Sequence, residues 1–71
     1  MENSKETLVI HCGDLKRGDV VEAWLDGGRR HRGTVTETMP RFGLFWILED
    51  PLHERRLVDM SELDIVRFTP M

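Results

Sequence analysis

The chain has 71 residues, enough for one small domain, and its single cysteine, Cys12, excludes a disulfide bond within the chain. Its composition, 39% hydrophobic and 32% charged, is typical of a folded domain and excludes the class of disordered, highly charged proteins. The formal net charge of −3 argues against a dedicated nucleic-acid binder, because phosphate contacts usually require a basic balance, although a local basic face is compatible with it.

The N-terminal residues 1–6 are polar, so we expect a disordered tail there and one folded domain over residues 7–71. The apolar run Leu8-Val9-Ile10 is too short for a signal peptide or a membrane span. We therefore expect a cytoplasmic protein that makes no membrane contact.

Strand signals begin with Thr7–Ile10, which either adds a strand to the sheet or pairs with another chain. In residues 19–25, DVVEAWL, apolar and polar side chains alternate with the period of two of a half-buried strand. A glycine-rich turn at residues 26–28 leads into a Thr- and Val-rich strand over residues 29–39, and MPRFG forms the next turn.

The second half of the chain predicts three more strands. Residues 44–50, LFWILED, are apolar on both faces over five positions, which is typical of a central, well-covered strand. Residues 54–58 alternate weakly, and residues 65–68 form a closing strand. Between these two strands, Met60–Leu63 predicts one turn of 3₁₀ helix, with Ser61 as its cap.

These elements predict a single all-β domain with five antiparallel strands, or six if Thr7–Ile10 is included, arranged as a barrel or sandwich. Four features resemble an SH3-like small β-barrel over residues 13–68: the loop KRGDVV (residues 16–21, a G-D-x-V pattern), the three-stranded meander, the 3₁₀ turn and the short closing strand. The resemblance implies a five-stranded barrel that binds peptides, modified histone tails, RNA or protein partners. The proline-peptide binding of signalling members is not implied, because their grooves use clustered tyrosines and this chain has none.

The basic stretch GGRRHRG follows the first predicted hairpin turn, and its register decides what the arginines contact. A three-residue turn at residues 26–28 places Glu22 opposite Arg32 and Trp24 opposite Arg30. We expect an ion pair in the first case and a cation–π contact in the second. A two-residue turn at Gly27-Gly28 would shift the strands by one residue and set arginines against the core, so the three-residue turn is favoured.

The second hairpin has two registers that the sequence leaves open. A three-residue turn, Asp50-Pro51-Leu52, sets Trp46 opposite Arg56, so that both extend the basic and aromatic surface. A four-residue turn instead sets Trp46 opposite Leu57, which is typical of the core.

The predicted function is a non-enzymatic interaction or accessory module that binds a protein partner, or a second copy of itself, through an outer sheet face or a strand edge. The candidate binding residues are Trp24, Arg30, Arg32, Trp46 and Arg56. The alternative is binding of RNA or single-stranded DNA through the same arginines and tryptophans, because bases stack on such faces.

Other chemistry is not predicted. His11, Cys12 and Asp14 are metal-capable residue types that lie close together, but the chain has no paired Cys or His motif of the kind that zinc sites need. No nucleophile and base stand in a recognisable catalytic spacing. We therefore expect no metal, no cofactor, no small-molecule substrate and no enzymatic activity.

Overall fold

A computed structural model of the protein describes residues 4–70, which form six strands and two short 3₁₀ turns. The strands are β1 (Ser4–Val9), β2 (Val20–Leu25), β3 (Gly28–Met39), β4 (Leu44–Glu49), β5 (Glu54–Asp59) and β6 (Asp64–Pro70). The 3₁₀ turns span Cys12–Asp14 and Pro40–Phe42. No α-helix occurs in residues 4–70, so the all-β prediction is confirmed.

All six strands belong to one antiparallel sheet in the order β1-β6-β2-β3-β4-β5. The chain forms the meander β2-β3-β4-β5 through short turns, and β6 then returns to pair with both β2 and β1. The sheet is not closed into a barrel, and β1 and β5 are its two edges. The strand predicted at Thr7–Ile10 therefore joins this sheet by pairing with β6.

One hydrophobic core lies on one face of this sheet, which we call the core face. Its buried residues include Val9 of β1 and Val58 of β5, the two edge strands, so the sheet must curl around them. The other buried members are Cys12, Leu15, Val21, Ala23, Val35, Phe45, Ile47 and Ile65. Because side chains alternate between faces along a strand, the opposite outer face carries the residues between these positions.

Two sequence-based expectations about local structure are wrong. Ser4, Lys5 and Glu6, predicted as part of a disordered tail, form the start of β1, whereas residues 1–3 lie outside the described residues. The segment Met60–Leu63 is an ordinary turn without a 3₁₀ helix. Its cap is Asp59, whose carboxylate accepts hydrogen bonds from the backbone N–H and the hydroxyl of Ser61, at 2.9 and 2.8 Å.

The described residues contain no helix long and apolar enough to cross a membrane.

At Gly33 the backbones of β3 and β4 leave no room for a side chain. A Cβ atom at this position would overlap the backbone carbonyl of Leu48, and a backbone cannot move aside as a flexible side chain can. Gly33 also pairs with Val21 and Glu49, so it lies in the middle of the meander. A glycine here is a packing requirement of the sheet.

We expect Gly33→Ala to destabilise the protein by about 2 kcal/mol, because overpacking against fixed backbone is costly, and to lower Tm by roughly 8–16 °C. Gly28→Ala is the matched control, since a Cβ there would lie at an ordinary 3.6 Å from the Leu25 carbonyl. Thermal denaturation followed by circular dichroism measures both variants. Equal Tm values for the two would contradict the close approach at Gly33.

Candidate functional site

The β2–β3 hairpin turns at two residues, Asp26 and Gly27, so the predicted three-residue turn is wrong. Both residues have positive φ angles, 53° and 78°, which is the conformation that an Asp-Gly pair supplies to tight hairpins. A β-bulge at Arg30 then inserts an extra residue into β3. Beyond the bulge the pairing is the one predicted, with Glu22 opposite Arg32.

Before the bulge the pairing differs from the prediction. Trp24 lies opposite Arg29, so the expected contact between Trp24 and Arg30 is wrong. The indole N–H of Trp24 instead donates a hydrogen bond to Glu22 Oε1 at 3.1 Å. Arg30 is exposed.

On the outer face, Glu22 accepts hydrogen bonds from three side chains of this hairpin. We call Glu22 and these three residues, Trp24, Arg29 and Arg32, the Glu22 cluster. The Glu22 Oε2 atom accepts from Arg32 at 2.7 Å and from Arg29 at 3.2 Å. The predicted ion pair between Glu22 and Arg32 is thereby confirmed. Glu22 retains only 8% of its accessible surface, and a carboxylate buried to this extent requires such partners.

The surroundings of Glu22 favour its ionised form. Burial by itself raises the pKa of this carboxyl, but the hydrogen bonds from Arg32, Arg29 and Trp24 and the charge of Arg32 lower it by more. The pKa of Glu22 therefore lies below its ordinary value of 4.5.

Arg32 links the hairpin to the returning strand β6. Its guanidinium carbon lies 5.1 Å from the centre of the Phe68 ring, within the range of a cation–π contact. Arg32 thus contacts a carboxylate and an aromatic ring of its own chain at once.

A second carboxylate, Glu49, is paired on the core face, at the end of β4. His31 Nδ1 lies 2.6 Å from Glu49 Oε2, and Arg56 Nε donates to Glu49 Oε1 at 2.5 Å. Burial raises the pKa of Glu49, but the hydrogen bonds and charges of Arg56 and His31 outweigh burial and lower it below its ordinary value.

The β4–β5 hairpin uses a four-residue turn over residues 50–53, which sets Trp46 opposite Leu57. Of the two registers left open by the sequence, the three-residue one is wrong. Trp46 is nevertheless half-buried on the outer face, outside the buried core. Its partner is Arg55, whose guanidinium carbon lies 4.3 Å from the ring centre. Arg56 belongs to the opposite face and does not extend the surface of Trp46.

The edge of β5 adds backbone groups that pair with no other strand of residues 4–70. The Met60 N–H donates to the Gly43 carbonyl at 2.9 Å, one step beyond the end of the β4–β5 ladder. In an antiparallel ladder, the residues that bond a given neighbour alternate along the strand. The backbone groups of Arg55, Leu57 and Asp59 therefore point away from β4, towards the open edge.

The same alternation places the side chains of these edge-facing residues on the outer face, beside Trp46. Leu57 is 44% exposed there. We call Trp46, Arg55 and Leu57 the outer strip. Only Trp46 of this strip was predicted, because the signal for Arg55 and Leu57 depends on the length of the turn.

One cleft in the described part of the chain lies at the β4–β5 turn. This shallow cleft of about 90 Å³ is lined by Glu49, Asp50, Pro51, Leu52 and Glu54, and it is well below the roughly 300–1,000 Å³ of typical ligand pockets. Within residues 4–70, no three His, Cys, Asp or Glu side chains are grouped so that they could hold a metal ion.

No protein-family model, no curated protein and no solved structure matches this chain.

We expect acid to destabilise the protein through Glu22. Its folded pKa is lowered, so the unfolded chain binds more protons as the pH falls below about 4.5, and the stability that ionised Glu22 contributes is lost as the pH falls through the folded pKa. Glu22→Gln should lower the free energy of unfolding at pH 7 by about 1–2 kcal/mol and flatten this acid dependence.

Urea denaturation between pH 7 and pH 3 measures this effect, with the exposed Glu62→Gln as the control that keeps the wild-type slope. Part of the slope should persist in Glu22→Gln because Glu49 also has a lowered pKa. An unchanged slope in Glu22→Gln would contradict the buried cluster.

Substitution of Arg55 should change the exposure of Trp46, whereas substitution of its neighbour Arg56 should not. In a Trp24→Phe background, Arg55→Ala should increase acrylamide quenching of the Trp46 fluorescence, because it uncovers the ring. Arg56→Ala should leave quenching unchanged and cost about 1 kcal/mol of stability, because Glu49 loses a donor. If quenching increased in Arg56→Ala and not in Arg55→Ala, Arg56 rather than Arg55 would cover Trp46, and the four-residue turn would be contradicted.

Proposed function

We propose that this protein is a non-enzymatic interaction module that binds a protein partner at the open edge of β5 and the adjoining outer strip. The observation that carries the proposal is the coincidence of edge-facing backbone groups with an exposed leucine, Leu57, next to Trp46 and Arg55. Backbone groups at a free edge add a partner strand, and alternate side chains give the specificity. Tryptophan and arginine are the residue types most enriched at energetic centres of interfaces.

The placement of the arginines supports a protein partner over a nucleic acid. Arg29 and Arg32 both contact the single carboxylate of Glu22, and Arg55 covers the ring of Trp46 that a base would need for stacking. Arg56 is paired with Glu49 on the other face. Of the basic residues first considered for phosphate binding, Arg30 is the one for which residues 4–70 provide no ion pair, and one cation is a weak basis for phosphate binding.

The proposed fold assignment is an SH3-like small barrel that is open between β1 and β5. Its support is the curled six-stranded antiparallel sheet, in which the closing strand β6 pairs with both β1 and β2. Domains of this type bind peptides, modified histone tails, RNA or protein partners, so the proposed function rests on the β5 edge and not on the fold. We also propose a cytoplasmic location, which suits a chain with one free, buried cysteine, Cys12.

Affinity capture from an extract of the source organism, followed by titration of the captured partner, tests the proposed function. We expect Leu57→Ser to weaken partner binding about tenfold, because truncation of a central apolar side chain at an interface costs more than 1 kcal/mol. Leu8→Ser is the matched control, since Leu8 is an exposed leucine on the other edge strand. Loss of binding in both variants, or in neither, would overturn the assignment to β5.

A separate experiment tests the nucleic-acid alternative. Tryptophan fluorescence is titrated with single-stranded RNA and DNA at low and high salt, and we expect no salt-sensitive change. Protection of a tryptophan that disappears at high salt and in Arg30→Ala and Arg32→Ala would favour the alternative.

A further inference from the structure

We infer that β5 pairs with β5 of a second copy of this chain, in antiparallel register about Leu57, to form one continuous sheet. The inference rests on the proposed β5 edge and goes beyond it by naming the partner. The edge-facing backbone groups identified above are the ones that such a pairing would satisfy.

Symmetry limits the registers that two copies can adopt. A two-fold axis perpendicular to the sheet leaves each face on its own side, so every residue must lie opposite a residue of the same face. The axis runs between the two strands, and it must therefore be level with a residue of β5 rather than with the midpoint between two residues. Pairing about Leu57 joins two residues whose backbone groups both point to the open edge, so each donates a hydrogen bond to the other.

Charge complementarity selects this register. On the outer face, Leu57 meets Leu57 of the second copy, and Arg55 lies opposite Asp59 of the second copy on each side. Directly opposite ions of unlike sign stabilise a strand pair, and an apolar pair between them excludes water. The hydrogen bonds that Asp59 accepts from Ser61 lower the pKa of Asp59, so it stays ionised at neutral pH.

The neighbouring registers are poorer. Pairing about Arg56 would set that arginine directly against its own copy, and like charges opposite each other are destabilising. Pairing about Val58 would set Leu57 against Asp59. Of these three registers, only the one about Leu57 matches both charge and hydrophobicity on the outer face.

The other edge strand, β1, lacks this self-complementarity. Its charged residues Lys5 and Glu6 are neighbours in sequence, so they lie on opposite faces of the sheet. A face-preserving two-fold axis can never place them opposite each other. β5 is therefore the edge whose own sequence, ERRLVD, fits a second copy of itself.

One end of the edge is partly engaged within the chain. The Asp59 carbonyl accepts a hydrogen bond from the Glu62 N–H at 3.2 Å, but it keeps a second lone pair for a partner strand. An interface confined mainly to one strand edge is at the small end of interface sizes, so the dimer should be weak and depend on concentration.

Sedimentation equilibrium of the full chain over a range of concentrations measures this dimer, and charge reversal tests its register. We expect Arg55→Asp and Asp59→Arg each to weaken self-association about tenfold or more, because attraction becomes repulsion at both ends of the strand pair. A mixture of the two variants should restore the wild-type dimer, because every Asp then faces an Arg. Arg41→Asp, a charge reversal of an exposed residue outside β5, is the control and should leave the dimer unchanged.

The restoration in the mixture keeps the test valid if a single variant is less stable, and thermal denaturation checks that each variant is folded. Leu57→Pro provides a second test, because proline lacks a backbone N–H. The N–H of Leu57 points to the open edge and bonds no other strand of residues 4–70, so its loss leaves the sheet intact. The substitution should abolish the dimer and leave the monomer folded.

A wild-type chain that is monomeric at all concentrations, or a mixture that does not associate, overturns the self-pairing. If that monomer still captures a different protein and Leu57→Ser does not, the proposed function stands and only the inference of a second copy fails. If the charge variants and Leu57→Pro leave a wild-type dimer unchanged, β5 is not its interface.

Discussion

The β2–β3 hairpin depends on the buried carboxylate of Glu22. An ionised group with so little exposed surface would be costly to leave unpaired, and three donors from the same hairpin converge on it. These donors can meet only if Arg32 lies opposite Glu22 and Arg29 lies one bulge closer to the turn. The pairing of the Glu22 charge therefore restricts the register between β2 and β3. The contact of Arg32 with Phe68 also restricts the position of β6 beside this hairpin.

The same hairpin shows how most side chains of a basic stretch become engaged in contacts within the chain. Strand alternation and one bulge send Arg29 and Arg32 to the outer face, where Glu22 lies, and His31 to the core face, where Glu49 lies. Each carboxylate thus bridges two basic side chains. Steering of phosphate by this stretch would require free positive charge, and the carboxylate of Glu22 offsets one of its three arginine charges and holds two of the three guanidinium groups.

Much of the fold follows from the sequence because alternation and turn residues are local signals. They predicted every strand except the start of β1, as well as the pairing of Glu22 with Arg32. The length of each hairpin turn was not predicted, since Asp26-Gly27 and the bulge at Arg30 compensate each other and preserve the inner register. For the same reason the sequence did not decide between Arg56 and Leu57 as the residue opposite Trp46, which depends on one residue in a turn, and the contact of Trp46 with Arg55 was not predicted.

An open strand edge has consequences that its hydrogen bonds alone do not decide. Water satisfies unpaired backbone groups nearly as well as a partner strand does, so the net gain from each new hydrogen bond is small. The side chains that flank these groups must therefore supply the preference for one partner. On the outer face of β5 they are the exposed Leu57, with Arg55 on one side and Asp59 on the other. When a second copy of the strand runs antiparallel to the first about Leu57, each arginine lies opposite an aspartate. Arg29 and Arg32 are held at Glu22 in the β2–β3 hairpin, and the charges along this edge belong to β5 itself. The order of charges on β5 is therefore the element that selects the partner.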